Sequence, residues 1–264
     1  FSAGADLQAM LPAFMAVGVS AIEDAEGFMQ QTMLRLRYAK RGRLRFSSHR
    51  DFQRALERAL RRADIPMAYS AGFSPHPKVS YANSAATGVA SEAEYVEIGV
   101  AIACDPAAVR AALDEALPPG LDVVEVVEAR TPDFANRLEA SIWRVELPGV
   151  AQATADEATR RFLAEAEVNV ERLTKNGVRV FDARSAVLRV DSAAPSDADP
   201  DCAILTLVVR HGTPSVRPDD VLSALRRVAD LVPPKPPRVT RLAQGPLDEA
   251  GTSVTDPFDP DRAG

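Results

Sequence analysis

One order of elements, strand–helix–strand–strand–helix–strand, can be read twice along this chain. That doubling limits the folds open to it more than any single motif does. In the first pass Leu34, Leu36 and Tyr38 alternate with Arg35 and Arg37, the two-residue period of a half-buried strand. A turn at 40–43 follows, and 44–46 reads as resumed extended chain. A helix then starts at Ser48, an N-cap residue, with Asp51 three positions on where a capping box carries glutamate. Phe52, Ala55, Leu56, Ala59, Leu60 and Ala63 form one apolar stripe. Arg50, Arg54, Arg58, Arg61 and Arg62 fall off that stripe, and Asp64-Ile65-Pro66 stops the helix. Strands over 79–82 and 95–102, a helix from Asp105-Pro106 to about 117, and a strand over 121–127 complete the pass.

The second pass reads as a strand over 142–147, a helix over 154–166, a strand region near 168–173 with 178–190, and a strand over 203–209. A helix over 218–228 and a strand over 238–242 close it. Pro106, Val109, Ala112 and Leu113 recur as Pro218, Val221, Ala224 and Leu225, and in each pass a Pro-Pro stop and a strand come next. The expected fold is α+β: duplicated ferredoxin-like βαββαβ units, two halves with antiparallel sheets covered by helices. The expected layout is an N-terminal extension over 1–30 (disordered or weakly helical, with Met29 or Met33 nearer a natural start), a first unit over 31–130, a second over 138–243, and an acidic disordered tail over 244–264. Residues 193–200 read as a polar loop.

Net charge is −6, yet between Leu34 and Lys78 twelve basic residues face only Asp51, Glu57 and Asp64. Local fields rather than totals steer anionic partners, so this segment points to RNA or another anion. The alternative is a solvated helix face with charged strand edges. The two cysteines, Cys104 and Cys202, lie far apart and outside any C-x-x-C spacing. Neither a disulfide framework nor an iron–sulfur cluster is expected of them, and a reducing cytoplasm suits the chain. The apolar run over 10–19 is about half of the roughly twenty residues that a membrane span needs, so no membrane partner is expected.

Polar and aromatic residues concentrate around the first helix and the loop after it. Candidates to bind a substrate or anion are Ser47, His49, Asp51, Arg54, Arg58, Arg61, Tyr69, Ser70, Phe73, His76, Lys78, Ser91 and Glu94. The arginines and Lys78 would hold phosphates, helped by free N–H groups at the helix start. His49 suits acid–base work by residue type, or it simply bonds to backbone at the helix start. Pro75-His76-Pro77 displays a histidine on a rigid loop. Tyr69, Phe73 and Tyr81 can stack on bases or fill core, and Phe73 reads better as core. His49, Asp51 and His76 match no standard metal spacing, so neither metal nor cofactor is expected. Walker loops, nucleophile elbows and dinucleotide fingerprints do not occur in the sequence. Asp182 beside Arg184 resembles the catalytic corner of some RNA pseudouridine synthases, which also duplicate a ferredoxin-like unit. A purely structural role is the other reading.

The run Arg45-Phe46-Ser47-Ser48-His49-Arg50-Asp51, with Tyr69-Ser70-Ala71-Gly72-Phe73-Ser74-Pro75-His76-Pro77-Lys78, Gly88, Ser91 and Glu94, resembles the radical SAM-linked protein family. That domain is encoded beside, or fused to, a radical SAM enzyme. The resemblance covers about 31–243 and implies a partner enzyme that supplies the iron–sulfur cluster. It carries no catalytic residues with it. The expected function is an accessory or substrate-binding companion of such an enzyme, binding RNA or another anionic substrate through the basic helix and the Gly72-Phe73-Ser74-Pro75-His76-Pro77 loop. The alternatives are a stand-alone non-redox RNA-modifying enzyme, pseudouridine-synthase-like, with His49, Asp51 and His76 as acid–base groups, or a protein–protein adaptor. Whether the chain is an enzyme by itself is left open.

Overall fold

The computed structural model describes residues 32–71, 73–175, 177–193 and 201–263. The expected N-terminal extension and all but the first residue of the polar loop lie outside them. The chain is a mixed α+β protein of two compact units. The first takes in residues through Asp133 and also Phe258–Gly264; the second is Phe134–Pro257.

The first unit contains β1 (Thr32–Lys40), α1 (His49–Arg62), β2 (Val79–Ala82), β3 (Ala90–Val100), α2 (Pro106–Ala116) and β4 (Leu121–Glu128). Its strands run β4-β1-β3-β2, every neighbour antiparallel. Register opposes Leu34 to Ile98 and Leu36 to Val96. These side chains join Phe52, Leu56, Leu60, Val109 and Leu113 in one core, because alternate strand residues share a face. The expected extended chain over 44–46 is instead a short 3-10 helix, Gly42–Phe46. Gly42, at φ +54°, turns the chain so that Leu44 N–H donates to Arg41 O and Ser47 N–H to Leu44 O. Helix α1 follows the sequence reading closely: Ser48 caps it, Asp51 closes the capping box, and the apolar stripe is buried.

The second unit contains α3 (Phe134–Arg137), β5 (Ala140–Pro148), α4 (Gln152–Ala164), β6 (Asn169–Thr174), β7 (Gly177–Asp182), β8 (Val187–Ala193), β9 (Cys202–Arg210), α5 (Pro218–Ala229) and β10 (Arg238–Gly245). Strands β10-β5-β9-β8 form an antiparallel sheet, while β6 and β7 pair as a separate hairpin. Taking each unit's strands in chain order, with that hairpin set aside, the strands of both units run fourth-first-third-second. Phe162 of α4 and Val221, Ala224 and Leu225 of α5 are fully buried. The single strand expected over 178–190 is two. The Asp182 carboxylate accepts N–H groups from Arg184 and Ser185, so the chain turns there and β8 leaves in a new direction.

The C-terminal stretch is no loose tail. Leu247 N–H donates to the Glu139 carboxylate, and Thr255 N–H to Pro246 O. Gly245 meets the Thr255 carbonyl so closely that a Cβ would come within 2.1 Å of it. Helix α6 (Asp259–Arg262) then packs on the first unit. Phe258 is fully buried, edge-on to Tyr95 with ring centroids 5.3 Å apart. Asp261 accepts from buried Arg35 at 2.5 Å and from the Arg130 and Thr131 N–H groups at 3.0 Å. An acidic composition suggested disorder, but one aromatic ring and one carboxylate with a buried guanidinium to meet anchor the segment. No helix among the described residues is long and apolar enough to cross a membrane.

Candidate nucleic-acid interface

The basic segment divides between two faces of the first unit. On β1, alternation sends Arg35 and Arg37 to the side of the sheet away from α1, where acids from distant positions meet them. Arg35 pairs with Glu97 and Asp261, and Arg37 with Glu125. Arg41 is held by Glu92 and Asp122, and buried Lys40 donates to the Ala85 and Ala86 carbonyls. These four cations are committed to the fold, which takes them out of the twelve basic residues counted toward an anionic partner.

The arginines of α1 are different. Arg50, Arg54, Arg58, Arg61 and Arg62 are exposed on its outer face. Arg62 reaches the Ala116 carbonyl, and Arg61 lies 3.8 Å from Glu57 one turn back. Arg54 and Arg58 make no hydrogen bond or ion pair among the described residues. Positions four apart on a helix have Cβ atoms roughly 5–6 Å from one another, so Arg54 and Arg58 are neighbours on its exposed face.

At the far end of α1 residues 67–71 and 73–78 form a short ribbon. Ala68 N–H donates to Gly99 O, Lys78 N–H to Ala68 O, and Ser70 N–H to His76 O. Tyr69 bridges Pro77, and His76 N–H donates back to the Ser70 hydroxyl at 3.1 Å. Tyr69 is 56% exposed, and Phe73, which its size marked as core, is wholly exposed. Lys78 and His76 are exposed as well. Between this ribbon and α1 lies a cleft of about 290 Å³ lined by Glu57, Leu60, Arg61, Met67, Tyr69 and Pro77. Of its walls, sequence reasoning named only Arg61 and Tyr69. Leu60 was assigned to core and Glu57 counted as a mere counter-charge.

The two histidines are not brought together. His49, the first residue of α1, stands edge-on to Tyr81 at 4.8 Å, with its ring nitrogens near Gln53 Nε2 and Ser84 Oγ. The ribbon bearing His76 lies against Arg61, near the last turn of that helix. The interval from His49 to Arg61 corresponds to roughly 18 Å of helix axis. Neither histidine lines the cleft. Nor is the start of α1 free for an anion. Ser48 N–H and Oγ–H both donate to Asp51 Oδ2, at 3.1 and 2.7 Å, so the protein's own carboxylate sits there. The Ser48 hydroxyl and N–H hold the Asp51 carboxyl below its usual range, aided by Arg54 and Arg50.

Other candidates have structural partners. Ser47 is half-buried and donates its N–H to Leu44 O. Ser91 is fully buried, its hydroxyl accepting from Ala93 N–H at 3.2 Å. Buried Glu94 accepts from Ala85 N–H at 2.9 Å, fixing the same segment that Lys40 holds. Asp182 spends its carboxylate on three N–H groups, those of Val168, Arg184 and Ser185. The third histidine, His211, lies 2.5 Å from the Leu138 carbonyl through Nδ1 and 2.7 Å from Ser141 Oγ through Nε2. That serine is fully buried, so the pair ties strands together and presents no nucleophile. Among the described residues no three His, Cys, Asp or Glu side chains gather as a metal site.

Fold and surface together define an α+β protein of two units, with an arginine-faced helix beside an aromatic-walled cleft. The chain belongs to the bacterial family described as "Uncharacterized protein conserved in bacteria (DUF2344)", whose model matches residues 33–218. No curated protein matches it.

Proposed function

We propose that this protein binds RNA through the outer face of α1 and the ribbon 67–78, as the substrate-binding companion of a radical SAM enzyme. The observation that carries the binding is the adjacency of Arg54 and Arg58 on the exposed face of α1, where among the described residues neither forms a salt bridge and Arg54 feels only the nearby Asp51 charge. Arginines one turn apart on an exposed helix face repel each other, a cost that a phosphate backbone would relieve, releasing counterions as it binds. Exposed Tyr69 and Phe73 add aromatic faces at one end of that stripe. The link to a radical SAM enzyme rests on the sequence resemblance around Ser48-His49-Arg50-Asp51 and the Phe73–Lys78 loop. Asp51's capping role and the separation of His49 from His76 weigh against the acid–base alternative. The common strand order of the two units, with the β6–β7 hairpin as an insertion, supports descent from one duplicated ferredoxin-like unit.

Fluorescence anisotropy with a labelled RNA tests the binding. The Arg54→Ala, Arg58→Ala double variant is expected to weaken affinity across sequences and to flatten the log–log salt dependence by about two. Unchanged affinity would exclude this face. A pull-down from native lysate, with and without nuclease, separates partners bridged by RNA from an enzyme held directly.

A further inference from the structure

The cleft beside α1 has a shape and a rim that the phosphate-binding reading does not use. Its floor is apolar, made by Leu60, 3% exposed, and half-buried Met67. Tyr69 and Pro77 wall one side, bridged to each other, with the ribbon's backbone tied to β3 through Ala68 and Gly99. The Tyr69 ring is therefore carried on a fixed backbone while more than half of it meets solvent. Glu57 and Arg61, one helical turn apart, stand on the opposite rim with 52% and 77% of their side chains exposed. One wall is aromatic, the floor is greasy, and the rim offers one acceptor and one donor.

We propose that this cleft receives a single unstacked nucleobase of the bound RNA. The inference rests on the RNA-binding reading above and names what that surface selects. A base laid against Tyr69 gains stacking, as bases do on aromatic side chains that read single strands. The Glu57 carboxylate accepts from an exocyclic amino group, the same complementarity that acidic side chains show toward cytosine N4. Arg61 is left to meet the attached phosphate, and Arg58 and Arg54 continue the cationic stripe along the strand. A cleft of about 290 Å³ has room for one base. Paired bases in a duplex cannot enter, so the site favours single-stranded or flipped-out positions. Uracil offers no exocyclic amine, and its two carbonyl oxygens face a carboxylate unfavourably.

Three labelled probes of equal length test this by anisotropy: oligo(C), oligo(U) and a duplex. The expected result for the native protein is oligo(C) bound at least severalfold more tightly than oligo(U). In Glu57→Gln that preference shrinks toward unity. Tyr69→Ala is expected to weaken oligo(C) about tenfold while leaving duplex affinity and the salt slope in place, and Tyr69→Phe is expected to retain binding. Because Tyr69 and Glu57 are exposed, none of these variants removes core. Equal loss on single strand and duplex, or no loss in Tyr69→Ala, overturns the base site while leaving the arginine face standing. Failure of the native protein to bind any of the three overturns both.

Discussion

Asp261 shows how much one side chain can hold. Burial alone would raise its carboxyl, but hydrogen bonds from Thr131 and Arg35 and the charge of Arg35 win, and its pKa falls to about 2. Arg35 is 3% exposed and has no water to fall back on. Asp261→Asn is therefore expected to cost about 3 kcal/mol at neutral pH in urea unfolding, because it leaves a buried guanidinium short of charge. The pH dependence follows in sign. Above about pH 4 the group is ionised in folded and unfolded chains alike, and its contribution is complete. As pH falls from about 4 to about 2 the unfolded chain takes up a proton that the folded protein refuses, so about 2 kcal/mol of stability is lost. A wild-type curve without that loss, or a variant curve that keeps it, would contradict the assignment. None of this was legible in the sequence. Nothing local distinguishes Asp261 from the acids around it, and its partner Arg35 stands near the other end of the chain. By contrast Ser48 and Asp51 were readable, because a capping box is a contact between neighbours three residues apart.

Among the elements, the same division holds between local and non-local causes. Helices α1, α2 and α5 were legible to within a residue or two, since their caps and stripes lie within their own spans. The strand pattern misled where a β-rich run crossed a turn: Val178, Val180, Phe181, Val187 and Val190 look continuous until Asp182 gathers the amides after it. Phe73 misled in the other direction. Its size suggested core, but a ribbon built on backbone bonds from Ser70 and Lys78 carries it out to solvent. The β6–β7 hairpin sorts its side chains by face, and a pair of substitutions checks that sorting. Phe181, 8% exposed, lies under the Arg172 guanidinium at 4.7 Å. Phe181→Ala is expected to destabilise by about 3 kcal/mol. Leu173, 80% exposed, should tolerate serine to within about 0.5 kcal/mol. Equal losses in thermal or urea unfolding would mean that the hairpin face is assigned wrongly.

For the molecule as a whole, the mixed α+β class with antiparallel strands was legible in the alternation of strand and helix patterns. The site was anticipated less well. Counting charges along a segment ignores which side of a sheet each residue takes and which distant acids meet it, and so β1's arginines were credited to a surface they do not share. The arginines of α1 survived that test because a helix shows its own polar face within one segment. The first unit is discontinuous in sequence, closed by Phe258–Gly264. A chain ended after Pro257 is expected to lose hydrogen-exchange protection in β1 and β3, where Arg35, Tyr95 and Glu97 lose their cover. Protection should persist in β5 and β9. Uniform protection in the shortened chain would remove the closing role from this segment.

That late closure bears on how the protein is made. When Asp133 leaves the ribosome, every strand of the first sheet has been synthesised, yet the side bearing Arg35 and Tyr95 still waits for Phe258 and Asp261. At roughly 5–20 residues per second the wait is on the order of ten seconds. For that interval a nascent domain stands half-finished, its ionic interior open to chaperones and to misplaced carboxylates, and only the arrival of residues 258–262 commits it to the native state.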